Sequence, residues 1–363
     1  MRGAWRGLAR RLGIDHPLML APMAGGPSTP ALAAAVSGAG GLGSLGAAYL
    51  TPEQLRDAVG EVRRLTDRPF AVNLFAGGAT EGAGDAGPML ELVARWHRML
   101  GIDPPELPAP SADPFDAQLA VVLEVEVPVF TFTFGIPHAD AMAELRRRGV
   151  FVMGTATTVA EGAALEAAGV DAVVAQGSEA GGHRGTFQGP FEAALVGTMS
   201  LVPQLVDAVR VPVIASGGIM DGRGIVAARA LGAAGVSLGT AYLATDEAGT
   251  SAPYRERLRA SDEAATAVTR AFSGRPARGI RNAFMDAVEG ERIPIPPFPL
   301  QNALTRPLRT ASAARGDADA LSLWAGQGLR LLRAGPAAHL TRTLLAEAAA
   351  AARALAGDLA DGG

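Results

Sequence analysis

Histidines, strand-end amides and closely spaced glycines are the residues of this chain whose types and spacing suggest chemistry. His183 sits in Gln176-Gly177-Ser178-Glu179-Ala180-Gly181-Gly182-His183-Arg184-Gly185, a glycine-rich stretch that comes after an apolar run. A neutral imidazole whose ordinary pKa is about 6.5 is suited to taking a proton near neutral pH. Glu179 reads either as a second base or as the cap of a turn. Asn73 and Gln176 end strands that are otherwise apolar, and an amide there can donate and accept at once, as a flavin ring edge or a substrate requires. Gly217-Gly218 and Gly239-Thr240 let backbone N–H groups approach phosphate oxygens. The remaining histidines, His16, His97, His138 and His339, have no metal-ligand spacing among themselves or with His183, so no metal site is expected. His97 and His339 read as solvated helix faces, His16 as lying at the barrel bottom, and His138 either as a site candidate after strand four or as a helix start.

Two absences narrow the field. All 32 basic residues are Arg; the chain has neither Lys nor Cys. That excludes Schiff-base lysines, the phosphate-loop lysine, thiolate nucleophiles, disulfides and Cys-ligated metals. With 363 residues, 48% apolar, the chain can bury a large core. A formal charge of −4 gives no general attraction to nucleic acid. No apolar run reaches the length of a membrane span. Met1 to Arg11 is Arg-rich and acid-free, but Leu18–Ala24 is too short and too interrupted for a signal core. The expectation is a soluble, cytoplasmic protein.

The elements that must position these residues alternate. Apolar runs at Leu18–Met23, Gly41–Leu45, Phe70–Phe75, Val127–Phe134, Val150–Thr155, Ala172–Gln176, Val211–Ser216 and Val236–Leu243 read as buried parallel strands. Helical stretches lie between them. Eight such units over about 225 residues predict an α/β (β/α)8 TIM barrel, with a doubly wound sheet as the competing architecture. The chemistry then belongs at the C-terminal ends of the strands, where the glycines and polar residues above collect, and the strand seven and eight glycines fall where barrels hold a phosphate. Gly38-x-Gly40-x-x-Gly43 and Gly41-x-Gly43-x-x-Gly46 fit a dinucleotide pattern, but they precede a strand; they read as a helix end and a closely packed strand.

By this reading residues 1–245 form the barrel, with an excursion at about 76–115, and residues 246–357 form a mostly helical cap on its mouth. Residues 358–363 form a frayed tail. Leu321–Leu332 reads as a helix, with Trp324 in its core. The Arg275–Arg281 segment reads either as an anion clamp or as a solvated loop.

The chain resembles the nitronate monooxygenase family, formerly called 2-nitropropane dioxygenase. The resemblance rests on Ala21-Pro22-Met23-Ala24-Gly25-Gly26, Ala39-Gly40-Gly41-Leu42-Gly43, Asn73-Leu74-Phe75, the Gln176–His183 stretch, Gly217-Gly218-Ile219, Gly239-Thr240 and Ser273-Gly274-Arg275-Pro276-Ala277-Arg278-Gly279. It implies an FMN-containing barrel. FMN contacts map onto Met23, Asn73, Gln176, Gly181, Gly217, Gly218, Ser237, Leu238, Gly239 and Thr240, and a catalytic base onto His183. It implies oxidation of alkyl nitronates, and in some members of nitroalkanes, with O2 to a carbonyl compound and nitrite. The partners would be that small molecule and O2, with a homodimer as one assembly. Relatives can use Lys or Tyr in the cap to contact substrate; here Phe298 stands where a Tyr is expected, and Arg278 or Arg306 is left to supply the charge. Two other readings stay open: a flavin-dependent NAD(P)H enoyl-thioester reductase of the same barrel group, and a flavin-binding module without turnover.

Overall fold

Strands buried on both faces need no polar alternation, and their Val-, Ile- and Phe-rich runs pair in parallel. The computed structural model describes all residues except 1–2, 79–84, 110–111 and 362–363, and the side chains of 359–361. The strands are β1 (Leu18–Leu20), β2 (Gly43–Gly46), β3 (Phe70–Phe75), β4 (Val129–Thr133), β5 (Phe151–Ala156), β6 (Ala172–Gln176), the short β7 (Gly182–His183), β8 (Val213–Ser216) and β9 (Gly235–Leu238). All but β7 form one parallel sheet in the order β1-β9-β8-β6-β5-β4-β3-β2. The ring closes between β1 and β2: Leu42 N–H donates to Leu18 O, and Leu20 N–H to Leu42 O. The architecture is a (β/α)8 TIM barrel.

Helices alternate with the strands. They are α1 (Ala4–Leu12), α2 (Pro30–Gly38), α3 (Pro52–Leu65), α4 (Gly87–Met99), α5 (Phe115–Glu124), α6 (Ala139–Arg147), α7 (Val159–Ala167), α8 (Thr198–Ala208) and α9 (Gly222–Ala230). Their starts are written in sequence. Thr51 and Gln54 make a capping box at α3, and Thr158 and Glu161 make another at α7. Leu8 and Leu12 of α1 join Met19, Val129 and Ile214 in one apolar cluster at the N-terminal end of the strands. The glycines before β2 work as a packing device. A Cβ on Gly43 would lie 1.9 Å from Ala33 O, so only glycine lets β2 lie against α2.

Beyond residue 245 come α10 (Ala252–Ala260), β10 (Thr266–Thr269), β11 (Ala277–Ile280), α11 (Ala283–Gly290), α12 (Leu300–Ala314) and α13 (Ala337–Asp361). Met89, Leu92 and Val93 of α4 share a separate core with Phe272, Phe284, Leu304 and Leu308, so the excursion and this region pack together. The final helix packs along α9 and α2 on the barrel flank. The helix expected at Leu321–Leu332 is mostly irregular: Trp324 bridges to Gly279, and only Leu329–Leu331 turns as a 3-10 segment. Its glycines, Gly326 and Gly328, serve close approach instead. The tail expected to fray is helical through Asp361; its last two residues lie outside those described. Among the described residues, no helix is long and apolar enough to cross a membrane.

Candidate functional site

The C-terminal ends of the strands open into a cavity of about 1170 Å³, counting its mouth. Met23, Asn73, Gln176, Gly181, His183, Gly217, Gly218, Ser237, Leu238, Gly239 and Thr240 all line it. The residues singled out from sequence are thus brought to one place.

One wall is built from backbone. Gly217 and Gly218 come just after β8 with φ of +119° and +71°, a region costly for any side chain. A Cβ on Gly217 would stand 2.8 Å from Thr198 Oγ1. Gly181 meets Gly326 backbone to backbone; a Cβ on Gly181 would be 2.4 Å from Gly326 N. Thr240 Oγ1 accepts from Gly326 N–H at 2.9 Å, fastening the cap segment to the end of β9. Glu179 commits its carboxylate to α8: it accepts from Thr198 N–H and, at 2.9 Å, from Thr198 Oγ1. Of its two readings, the structure realises the cap.

His183 itself is surrounded by aromatic rings. The ring centroids of Trp324, Phe134 and Phe75 lie 5.5, 5.7 and 6.1 Å from that of His183. Burial, and then the charges of Arg275 and Arg309, push the imidazole pKa down to about 3, so the ring is neutral. Its Nε2 is 2.8 Å from Ser273 Oγ. That hydroxyl donates to Arg275 O and accepts from Arg275 N–H. The His183 backbone is held as well. β7 pairs antiparallel with β11, Ala277 opposite His183. Gln176 Nε2 donates to His183 O at 2.9 Å, while its Oε1 accepts from Gly185 N–H at 2.8 Å. Both ends of that amide are engaged with the loop. Asn73 Nδ2 similarly donates to Thr131 Oγ1 at 2.8 Å, leaving its carbonyl oxygen toward other partners.

The cations are placed differently from expectation. Arg278 donates to Ser178 O and Thr266 Oγ1 and does not line the cavity, and Arg306 is exposed. Arg275 lies over Phe134 and Phe298, 4.1 and 5.0 Å from their centroids, and donates to Gly77 O and Gly78 O. Within the Arg275–Arg281 segment, Ala277–Ile280 is the strand β11 that pairs with β7 at His183. His97 is buried, with Nδ1 2.6 Å from Asp103 O, because α4 turns its apolar side to the cap core. His138 caps α6, accepting from Ala141 N–H; His16 and His339 are exposed. No group of metal-ligating side chains occurs among the described residues.

Sequence reasoning missed Tyr49, Ser273 and Trp324 as site residues. Tyr49 lines the cavity just beyond β2, and burial raises its phenol to about 12. Its place immediately after strand two, at the active end of a barrel, is the signal that finds it. Ser273 had no local signal, since its partner is distant in sequence.

A sequence model of the nitronate monooxygenase family matches residues 8–347. The chain is 43% identical over 335 residues to a probable nitronate monooxygenase of Staphylococcus aureus strain Newman, covering 91% of this chain and 93% of that one. Among solved structures it is similar to the nitroalkane oxidase from Streptomyces ansochromogenes, with 44% identity, a TM-score of 0.89 and coverage of 96% and 99% of the two chains. FabK from Thermotoga maritima matches with 33% identity, a TM-score of 0.76 and coverage of 97% and 98%.

Proposed function

The chain belongs to the nitronate monooxygenase family and is an enzyme of flavin-dependent oxidation, and from that premise we propose that it uses FMN to oxidise alkyl nitronates with O2, giving a carbonyl compound and nitrite. The observation that carries this reading is that a neutral His183 packed among aromatic rings lines the same cavity as a glycine-built wall.

The residues present fit FMN. Gly217 and Gly218 adopt backbone that only glycine enters freely, and with Gly239 and Thr240 they offer N–H groups where barrels hold phosphate. Asn73 keeps an amide oxygen available for a ring edge. When bound, FMN would supply the one-electron redox chemistry that links the substrate anion to O2, held by the turn after β8 and the Gly239-Thr240 end of β9.

The protein's own part is selection and proton handling. We assign the Ser273 hydroxyl proton to Arg275 O, an assignment that makes Nε2 the protonated nitrogen and Nδ1 the acceptor. A substrate arriving as a nitronate needs no proton removed, and the buried charges of Arg275 and Arg309 favour an anion beside the ring. For a neutral nitroalkane, His183 Nδ1 takes the α-proton. Burial and those cations oppose the imidazolium until the nitronate formed beside it supplies the balancing charge.

The test is spectral and kinetic. Purified protein should carry FMN and consume O2 with ethyl nitronate, releasing nitrite; His183→Asn should keep flavin and lose turnover of nitroethane. A protein unable to hold FMN would overturn the reading. Anaerobic bleaching by NADPH without nitrite release would favour the enoyl-thioester reductase reading, for which FabK is the relevant neighbour.

A further inference from the structure

Glu161 is fully buried at the first turn of α7 and does not line the cavity. Among the described residues it makes no ion pair, yet its carboxylate accepts five hydrogen bonds. Oε2 takes Thr157 N–H at 2.6 Å, Thr157 Oγ1 at 2.7 Å and Thr158 N–H at 3.2 Å. Oε1 takes Gln188 N–H at 2.9 Å and Phe187 N–H. Capping α7 accounts for only the first oxygen. At α3 the same task is performed by an amide, Gln54. A buried carboxylate is costly unless its lone pairs are filled, and an amide at 161 would set an NH2 group against backbone N–H donors on one side or the other.

The second oxygen reaches the segment that leaves His183. Thr157 Oγ1 is also 2.8 Å from Thr186 Oγ1. Gly185 then meets Gln176, which in turn holds the His183 carbonyl. Arg184, buried between these points, donates to Gly177 O, Gln176 O and Ala194 O. Hydrogen bonds at both ends of the short 185–188 stretch thus tie the β5–α7 turn, through that backbone and Gln176, to the backbone of the histidine.

We propose that Glu161 is a positioning residue for His183, fixing the 184–188 segment so that the imidazole is held at the proton it removes. This rests on His183 being the base. Misplacing a catalytic group by about 1 Å can cost on the order of 100-fold in rate. The penalty should fall on the substrate that needs a proton removed and spare the one that does not.

The experiment compares wild type, Glu161→Gln, Glu161→Asp and Thr186→Val, each with its flavin, on nitroethane and on ethyl nitronate. In parallel, amide hydrogen exchange is measured across residues 182–190. Glu161→Gln should lower kcat/KM for nitroethane by about 10-fold or more while changing that for the nitronate by less than about 3-fold. Glu161→Asp, which keeps an acceptor carboxylate, should recover part of the loss, and exchange at 187–188 should quicken in Glu161→Gln. An equal fall on both substrates, or no change on either, overturns the proposal. Should Glu161→Gln not fold, Thr186→Val carries the same comparison with a smaller effect. Were wild type inactive on both compounds, the functional reading would fail by itself. The exchange data would then decide alone: quickened exchange in a folded variant supports the latch, and unchanged exchange overturns it.

Discussion

His183 Nε2 and Ser273 Oγ stand 2.8 Å apart although 90 residues separate them in sequence. Ser273 is 1% exposed and its hydroxyl is otherwise committed to the backbone of Arg275, so it fixes the ring without offering it a second orientation. Ser273→Ala should lower kcat/KM for nitroethane by about 10- to 100-fold, the range of a general-base contribution, with flavin content unchanged. Steady-state kinetics with parallel flavin absorbance checks this; full activity would remove Ser273 from its orienting role.

The neutral His183 ring ties stability to pH. Its folded-state pKa is lowered to about 3, by burial first and then by Arg275 and Arg309, whereas the ordinary value is 6.5. Below 6.5 the unfolded chain takes up a proton that the folded chain refuses. The contribution is therefore complete above pH 6.5 and is lost progressively as pH falls toward 3. Urea midpoints measured between pH 7 and pH 4 should fall more steeply for wild type than for His183→Asn. Parallel slopes would mean the ring is readily protonated in the folded protein.

Arg275, stacked on Phe134, also lowers the pKa of that ring. Replacing it with Met removes one of the two cations that depress His183 and frees the carbonyls of Gly77 and Gly78. The His183 pKa, tracked by the ring proton shifts, should move up toward 6.5. The KM for a nitronate should rise, since a favourable charge near the anion is gone. The loss of two charge-assisted hydrogen bonds should cost about 3–6 kcal/mol in stability. An unchanged His183 pKa would show that burial alone sets it.

How far the sequence reaches can be seen in particular residues. The eight strands are legible because Val-, Ile- and Phe-rich runs bounded by Gly or Pro are local signals. Gly217-Gly218 and His183 are legible from their places at strand ends. The hidden features depend on contacts between distant segments. Gln176 stands out in sequence as a strand-end amide and does line the cavity, but the bonds that both ends of its amide make to the His183 loop have no local signature. Leucine content places Trp324 in a helix at Leu321–Leu332, whereas the Gly326 and Gly328 contacts require an irregular chain there. Arg278 and Arg306 are candidates for the substrate charge by position; the fold engages Arg278 with Ser178 O and Thr266 Oγ1, and it is Arg275 and Arg309 whose charges act on His183.

The glycine wall makes the last prediction, and it separates strain from ligand binding. Gly217 has φ +119°, and an alanine Cβ there would press on Thr198 Oγ1 at 2.8 Å and Ala180 N at 3.2 Å. Thr198 carries the Glu179 contact and also donates to Gly217 O, so the turn facing the cavity must shift. Gly149 offers a control: its φ is +71°, nothing lies within 4 Å of the added Cβ, and it does not line the cavity. Each alanine carries a left-handed backbone cost of about 1–2 kcal/mol. Only Gly217→Ala should weaken FMN binding, by about 10-fold or more, equivalent to about 1.4 kcal/mol. Flavin titration of the two apoproteins measures this directly. Equal FMN affinity in both variants would mean that the turn after β8 does not hold the cofactor.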